Sequence, residues 1–326
     1  MCTSITLVNK DAYFGRNLDL EYSFGERVII TPRNYAFRFR RHVEAMKHHY
    51  AMIGMATAVE GYPLYAEAAN EKGLYMAGLN FPGNAFYKDC EEGKDNITPF
   101  ELIPWILGQA ATALEAKELI SRLNIINIAF AENMPLAPLH WHIADRERAF
   151  VMEQTEAGLR LFDDPVGVLT NNPTFDFHLM NLNQYMNLSP KREETGFSDK
   201  AGLKPFGEGM GAIGLPGDSS PASRYIKAAF LKLNSVCGED ECSSVSQFFH
   251  ILDSVAMVRG SVITESGNND ITTYSCCING SRGIYYFKTY ENNRIQAVRL
   301  FDEDLEGESI TEFSISDRQD IRFLNG

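Results

Sequence analysis

The chain opens MCTSITLVNKDAYFGRNLDL, and the second residue has the most chemistry to offer. If Met1 is removed, Cys2 becomes N-terminal, and a small side chain at that position permits the removal. A thiol and a free α-amine then sit on one carbon. A thiolate is a strong nucleophile, but a free thiol with a pKa of about 8.5 is mostly protonated at neutral pH and needs a base. Histidine is the usual base. None of His42, His48, His49, His140, His142, His178 and His250 stands in a sequence context that marks a cysteine–histidine pair. An N-terminal cysteine carries its own base, because an α-amine with a pKa of about 7.7–8.0 can accept the thiol proton directly or through water. The amine needs orientation and its ammonium form a counter-charge; Asp19 is the nearest candidate acid.

The elements that must position these groups follow from periodicity. TSITLV and AYFGRNLDL read as adjacent strands folded back at Asn9-Lys10-Asp11, which brings Arg16 and Asp19 toward Cys2. On spacing alone the plainer reading, ordinary residues of a strand pair, stands ahead. RVIITP, YAMIGMATAV, PLYAEAA and GLYMAGLNF complete a strand-rich first third, the last two joined at Asn70-Glu71-Lys72-Gly73. TPFELIPWILGQAATALEAKELISRL has helical apolar spacing and a Gly-Gln break, which predicts two consecutive helices. Strands return in LHWHIADRERAFVMEQTEAGLRLFDDPVGVLT, with turns at Asp145-Arg146-Glu147-Arg148 and Glu156-Ala157-Gly158.

Two further helices are expected. Ser220 caps the first, with Pro221 in its first position. Ser244 and Gln247 form a capping-box pair for the second, whose Val245, Phe248, Phe249, Leu252 and Val255 share one face. TTYSCCI, GIYYFKTY and RIQAVRL close the chain as strands. This order predicts an α+β fold, a single domain over 1–326 in which two large, mainly antiparallel sheets lie between helical layers.

Five separated stretches then acquire a common meaning. MCT with YFGRNLDLEYSFGERVIITPRNY, NEKGLYMAGLNFPGN, GVLTNNPTFD and GLPGDSSPASRY together closely resemble the choloylglycine hydrolase family, which includes bile salt hydrolases and penicillin V acylases. The similarity runs from Cys2 to the closing strands. It implies an N-terminal-nucleophile hydrolase fold, an αββα four-layer sandwich, in agreement with the segment order.

The resemblance also implies roles. Cys2 is the nucleophile after loss of Met1, Arg16 lies near its sulfur, and Asp19 holds the α-amine. Asn80 in GLNFP and Asn171 in TNNP match the positions that build the oxyanion hole, and Arg224 in PASRY matches the remaining family arginine. A cation in the first turn of a helix opposes the macrodipole, so Arg224 has a partner elsewhere; before the family enters, that partner reads as a surface salt bridge. Asn80 favours bile salts, because penicillin V acylases of the family often carry an aromatic residue there. The expected reaction is hydrolysis of the amide between a bile acid and glycine or taurine through a Cys2 acyl-thioester, with minor acyl transfer to amino acids. No cofactor or metal is implied, and the family suggests a homotetramer of bacterial type; an N-terminus without the basic-then-apolar layout of a signal peptide reads as cytoplasmic. A penicillin V acylase and a non-catalytic binder of sterol-like anions are the alternatives.

Composition agrees. The 326 residues are 44% hydrophobic, ample for a core, and no stretch approaches the ~18 consecutive apolar residues of a membrane helix. A net charge of −13 argues against nucleic acid and anionic membrane, so any cation meeting an anionic substrate acts locally. One local exception is YAFRFRRHVEAMKHHY, where Tyr35, Phe37 and Phe39 alternate with Arg38 and Arg40; it reads as a solvated hairpin ahead of an anion-attracting surface. Six cysteines are too sparse for a disulfide framework. Adjacent Cys276 and Cys277 point to opposite faces of a strand and read as buried thiols. HWH places His140 and His142 on one strand face without a third ligand for zinc. GEGMGAIG lacks the lysine of a phosphate loop and reads as a flexible loop near the site.

Overall fold

The computed structural model describes residues 1–41, 44–192 and 196–325. The chain begins with β1 (Cys2–Val8) and β2 (Ala12–Leu20), paired antiparallel with Cys2 opposite Leu18 and Ser4 opposite Arg16. It continues through β3 (Arg27–Thr31), β4 (Met52–Val59), β5 (Tyr62–Asn70), β6 (Tyr75–Asn80) and the short β7 (Asp95–Ile97). Two helices follow, α1 (Leu102–Gln109) and α2 (Ala113–Ile120). The expected break between them falls just after Gly108-Gln109, at Ala110–Thr112, where the Thr112 hydroxyl caps α2 by accepting from Glu115 N at 3.2 Å.

After β8 (Leu123–Ile125) come β9 (Leu139–Ala144), β10 (Ala149–Thr155), β11 (Gly158–Asp163) and the two-residue β12 (Val168–Leu169). The helix α3 (Phe175–Asn181), which periodicity did not reveal, precedes α4 (Pro221–Leu233) and α5 (Glu241–Asp253). The chain closes with β13 (Ile271–Asn279), β14 (Ile284–Thr289), β15 (Gln296–Arg299) and β16 (Thr311–Phe313).

Ser220 caps α4 and Pro221 is its first residue, as expected. The capping box at Ser244 and Gln247 does not form. Helix α5 starts one turn earlier because the Asp240 carboxylate accepts from Ser243 N at 2.9 Å, which leaves Ser244 buried inside the helix. A charged acceptor at the end of an acidic segment satisfies the first free amides and suits the helix dipole, so it outcompetes the later serine.

The strands form two large antiparallel sheets, one ordered β12-β1-β2-β13-β14-β15 and the other β11-β10-β9-β6-β5-β4-β3-β16; β7 and β8 form a small parallel pair. Helices α4 and α5 pack on the first sheet through β1, β12 and β13, whereas α1 packs on the second through β5 and β6. Sheet-to-sheet contacts run from β1 and β2 to β6. The result is helix, sheet, sheet, helix.

Two apolar cores correspond to these layers. One joins the facing sheets to α4 and α5 through residues such as Ile5, Phe14, Leu79, Val168, Tyr225, Phe248 and Leu252. The other lies under α1 and α2 around Trp105, Ile106, Trp141 and Phe150. Burying each such side chain stabilises the fold by about 1.5–3 kcal/mol relative to exposure.

The YAFRFRR segment obeys its alternation. Phe37 and Phe39 are buried in the second core, Arg38 and Arg40 face outward, and Phe37 bridges to Met46. His42 lies outside the described residues. Cys276 and Cys277 are both buried free thiols. Among the described residues, no helix is long and apolar enough to cross a membrane.

Candidate active site

The first strand pair carries Cys2, the candidate nucleophile, and the cation beside it. In the β1–β2 ladder Ser4 faces Arg16 directly, so the long guanidinium reaches two residues further along the same face, to the strand's first side chain. Arg16 Nη2 donates to Cys2 Sγ at 2.5 Å. Close approach of β13 behind β2 explains the preceding glycine: a Cβ at Gly15 would lie 2.0 Å from the carbonyl oxygen of Cys276.

Arg16 is wholly buried between the sheets. Its Nη1 donates to Gly78 O at 2.6 Å and lies 3.7 Å from Glu67 Oε2, and Glu67 in turn accepts from Tyr274 at 2.7 Å and Tyr285 at 2.5 Å. Burial works against the guanidinium charge, but Cys2, Tyr274 and Glu67 more than offset it, so the Arg16 pKa stands above the ordinary arginine value. Burial also raises the Glu67 pKa, opposed by Arg16 and the two phenols.

Asn171, two residues past the end of β12, sits on the other side of Cys2. Its Oδ1 accepts from Cys2 N at 2.9 Å and from Arg224 Nη2 at 2.7 Å, while its Nδ2 donates to the carbonyl of Asn80 at 2.7 Å. Arg224 is 2% exposed and, among the described residues, forms no salt bridge. Its guanidinium instead donates to Cys2 O at 2.5 Å, Thr3 Oγ1 at 2.6 Å and Ser219 O at 3.0 Å, so besides Asn171 its partners are backbone and hydroxyl acceptors on β1 and the α4 entry. Desolvation lowers its pKa, countered by the charges of Asp19, Cys2 and Asp270. The Asn80 side chain makes no hydrogen bond among the described residues, which leaves its amide available to a ligand.

Asp19 lies at the edge of this cluster, fully buried. One carboxylate oxygen accepts from Thr272 at 2.6 Å, and the other has no hydrogen-bond partner among the described residues. Burial raises its pKa, opposed by Arg224, the N-terminal ammonium and Thr272. The Met1 ammonium donates to Asp19 O at 2.6 Å and lies 3.2 Å from Asp270 Oδ2.

Cys2, Arg16, Asn80, Asn171 and Arg224 are thus linked by direct hydrogen bonds, with Asp19 adjoining them through Met1. A cavity of about 500 Å³ lined by Glu21, Tyr22, Ile271 and Tyr290 does not include Cys2. Hydrogen bonding and buried charge single out the Cys2 cluster as the candidate site.

The sequence profile described as linear amide C–N hydrolases, choloylglycine hydrolase family, matches residues 2–314. The chain belongs to the choloylglycine hydrolase family. It is an amide hydrolase with the N-terminal-nucleophile fold. A bile salt hydrolase/transferase of Lactiplantibacillus plantarum is 51% identical over 306 residues, covering 94% of each chain. The crystal structure of a point variant of conjugated bile acid hydrolase from Clostridium perfringens superposes with a TM-score of 0.91 at 41% identity, covering 99% of this chain and 100% of that one. Penicillin V acylase from Agrobacterium tumefaciens shares the fold with a TM-score of 0.75 at 16% identity, over 95% of this chain and 90% of that one.

Sequence reasoning missed Glu67, Tyr274 and Tyr285 around Arg16, and Thr272 and Asp270 around Asp19. These lie some 50 to 250 positions from their partners, in strands whose local pattern reports only which face is inward. His140 and His142 do share a face, but each has its own partners. His140 Nε2 lies 3.0 Å from Thr170 O and Nδ1 3.2 Å from Glu153; His142 Nδ1 lies 2.9 Å from Ser4 Oγ and Nε2 3.2 Å from Asp164.

Proposed function

We propose that this chain hydrolyses the amide of conjugated bile salts, with Cys2 as nucleophile and a minor capacity for acyl transfer to amino acids. The observation that carries the reading is the 2.5 Å contact from Arg16 to the Cys2 sulfur inside the Asn171–Arg224 cluster. The 51% identity to a bile salt hydrolase/transferase supports the choice of substrate.

While Met1 is present, the Cys2 nitrogen is an amide and has no basic lone pair. Removal of Met1 turns it into the general base, with the unpartnered oxygen of Asp19 as the nearby acceptor for its ammonium form. The amine takes the thiol proton, and the thiolate beside Arg16 attacks the substrate carbonyl carbon. The amides of Asn171 and Asn80 then donate to the developing oxyanion, interactions of a kind worth about 2.7–4 kcal/mol each. Collapse breaks the C–N bond, and the α-ammonium returns its proton to the departing nitrogen, which leaves as glycine or taurine. Water, deprotonated by the same amine, attacks the thioester, the C–S bond breaks, and free bile acid is released. An amino-acid amine that takes the place of water forms a new amide by the same steps. Arg224 holds Cys2 O and Asn171 Oδ1 together and so keeps nucleophile and oxyanion donor in register.

Parallel incubation with glycocholate, taurocholate and penicillin V, reading the released amine, tests the assignment. Glycine or taurine release that vanishes in Cys2→Ser is the expected result. Preferential cleavage of penicillin V would move the chain to the acylase branch, and bile salt binding without release would make it a non-catalytic binder. A further incubation of glycocholate with a large excess of a second amino acid, read by mass spectrometry, tests acyl transfer through the new cholyl conjugate.

A further inference from the structure

The oxyanion donor Asn171 stands where the sheet no longer holds the chain. The β1–β12 ladder pairs Ile5 with Val168 and Ser4 with Leu169 and then stops, so Thr170 and Asn171 lie beyond its last rung. Both are buried, and a buried carbonyl without a donor is costly. Two imidazoles supply the donors. His178, from α3, donates through Nε2 to Asn171 O at 2.9 Å. His140, from β9, reaches Thr170 O through Nε2 at 3.0 Å.

Both rings are fully buried and fixed by flat stacking. His178 lies on Tyr225, the residue after Arg224, with centroids 4.8 Å apart and planes 23° from parallel. His140 lies on Phe81, the residue after Asn80, at 4.3 Å and 8°. Glu153 ties the two supports together, since the same oxygen meets His140 Nδ1 at 3.2 Å and accepts from Phe175 N at 2.9 Å, the first residue of the helix that carries His178. A donor bond from Nε2 requires hydrogen on that nitrogen, and burial keeps His178 neutral, with its pKa pushed down to about 4.

We propose that His178 and His140 are positioning residues that take over from the β ladder and hold the Thr170–Asn171 backbone, so that the Asn171 amide meets the oxyanion. This rests on the assignment of Asn171 as an oxyanion donor. Among the described residues neither histidine hydrogen-bonds the sulfur, and neither is a proton carrier in the proposed reaction. Their effect passes through one asparagine whose side chain already bridges Cys2 N, Arg224 and Asn80 O.

The test compares glycocholate hydrolysis and iodoacetamide alkylation of Cys2 in the processed enzyme. Alkylation needs the thiolate but no oxyanion hole. His178→Phe keeps the stack on Tyr225 and removes the donor; its kcat is expected to fall at least ~10-fold, a fraction of the 10²–10³ lost with a whole donor, while KM stays within about twofold. The alkylation rate should change less than about threefold, because Arg16 and the α-amine are untouched. His178→Gln, which restores an N–H donor, should recover kcat to within about threefold of the parent. Should the phenylalanine variant fail to fold, His178→Asn, polar but too short to reach the carbonyl, takes its place with the same expectation.

Unchanged kcat in a folded Phe or Asn variant would overturn the proposal. So would a glutamine variant as impaired as phenylalanine, or an alkylation rate that falls in step with kcat. Asn171→Ala separates this failure from that of the underlying assignment. If Asn171→Ala hydrolyses normally, the oxyanion assignment is wrong; if it is inactive while His178→Phe is not, only the positioning role is wrong.

Discussion

The neutral, buried state of His178 makes stability depend on pH in a window that can be worked out. The ring is buried, its Nδ1 has no hydrogen-bond partner among the described residues, and the charges of His140 and Arg224 disfavour protonation further; desolvation is the largest cause, and together they lower the pKa from 6.5 to about 4. The carbonyls of Asn171 and Pro173 act in the opposite sense and are outweighed. The folded state therefore binds fewer protons than the unfolded chain between those values. The stabilisation is fully present above pH 6.5 and is lost as pH falls toward 4.

With one pKa unit equal to about 1.36 kcal/mol, integration from pH 7.5 to 5.0 gives a loss of about 2 kcal/mol from this one group. For a chain of this length, with an unfolding entropy of about 2.1 cal/mol/K per residue, that is about 3 °C in Tm. His49, whose pKa is also lowered by burial, adds its own loss, so the parent's absolute curve is not diagnostic. The diagnostic quantity is the difference in Tm between the parent and His178→Gln, which cannot titrate there. Thermal melts followed by circular dichroism at pH 7.5 and 5.0 should show the variant gaining about 3 °C on the parent over the interval. Parallel curves would refute the reasoning, since they would mean that His178 is solvated or already protonated in the folded protein.

Three other outcomes are expected. Cys2→Ser should retain the parent's melting profile yet lose most amine release, because a hydroxyl is a poorer nucleophile at this basicity, whereas Cys90→Ser, at an exposed thiol, should retain activity. Intact-mass measurement of active enzyme should show the loss of Met1; full turnover by a homogeneous Met1-retaining sample would remove the α-amine from the mechanism. Asp240→Ala, which deletes the α5 cap, should destabilise the fold by about 1 kcal/mol, read as a drop of about 1–2 °C in Tm, with kcat unaffected.

Much of this protein was decided by local sequence. Alternating apolar residues in TSITLV and AYFGRNLDL specify the pairing that sets Arg16 within reach of Cys2, because side chains two apart share a face and a tight turn at Asn9–Asp11 sets the register. Ser220 and Pro221 mark the start of α4 because capping is a matter of a few neighbouring atoms. The break after α1 and the buried pair Cys276–Cys277 are legible for the same reason.

The tertiary structure decided what depends on contacts distant in sequence. Arg224 reads locally as a surface cation in an unfavourable dipole, and only the approach of α4 to β1 reveals its acceptors at Cys2, Thr3 and Asn171. Glu67 is one inward position among many on β5 until β2, β13 and β14 bring Arg16, Tyr274 and Tyr285 against it. The start of α5 went to Asp240 rather than Ser244, because burial of Ser244 against Asn9 left the earlier carboxylate to meet the free amides. His178 sits in a helix of seven residues, too short to announce itself by period, and its partner is a backbone carbonyl that any residue would present. Periodicity encodes which face of an element turns inward, but not which other element it meets there; that choice is made by the packing of whole layers, and it is where the support of this site resides.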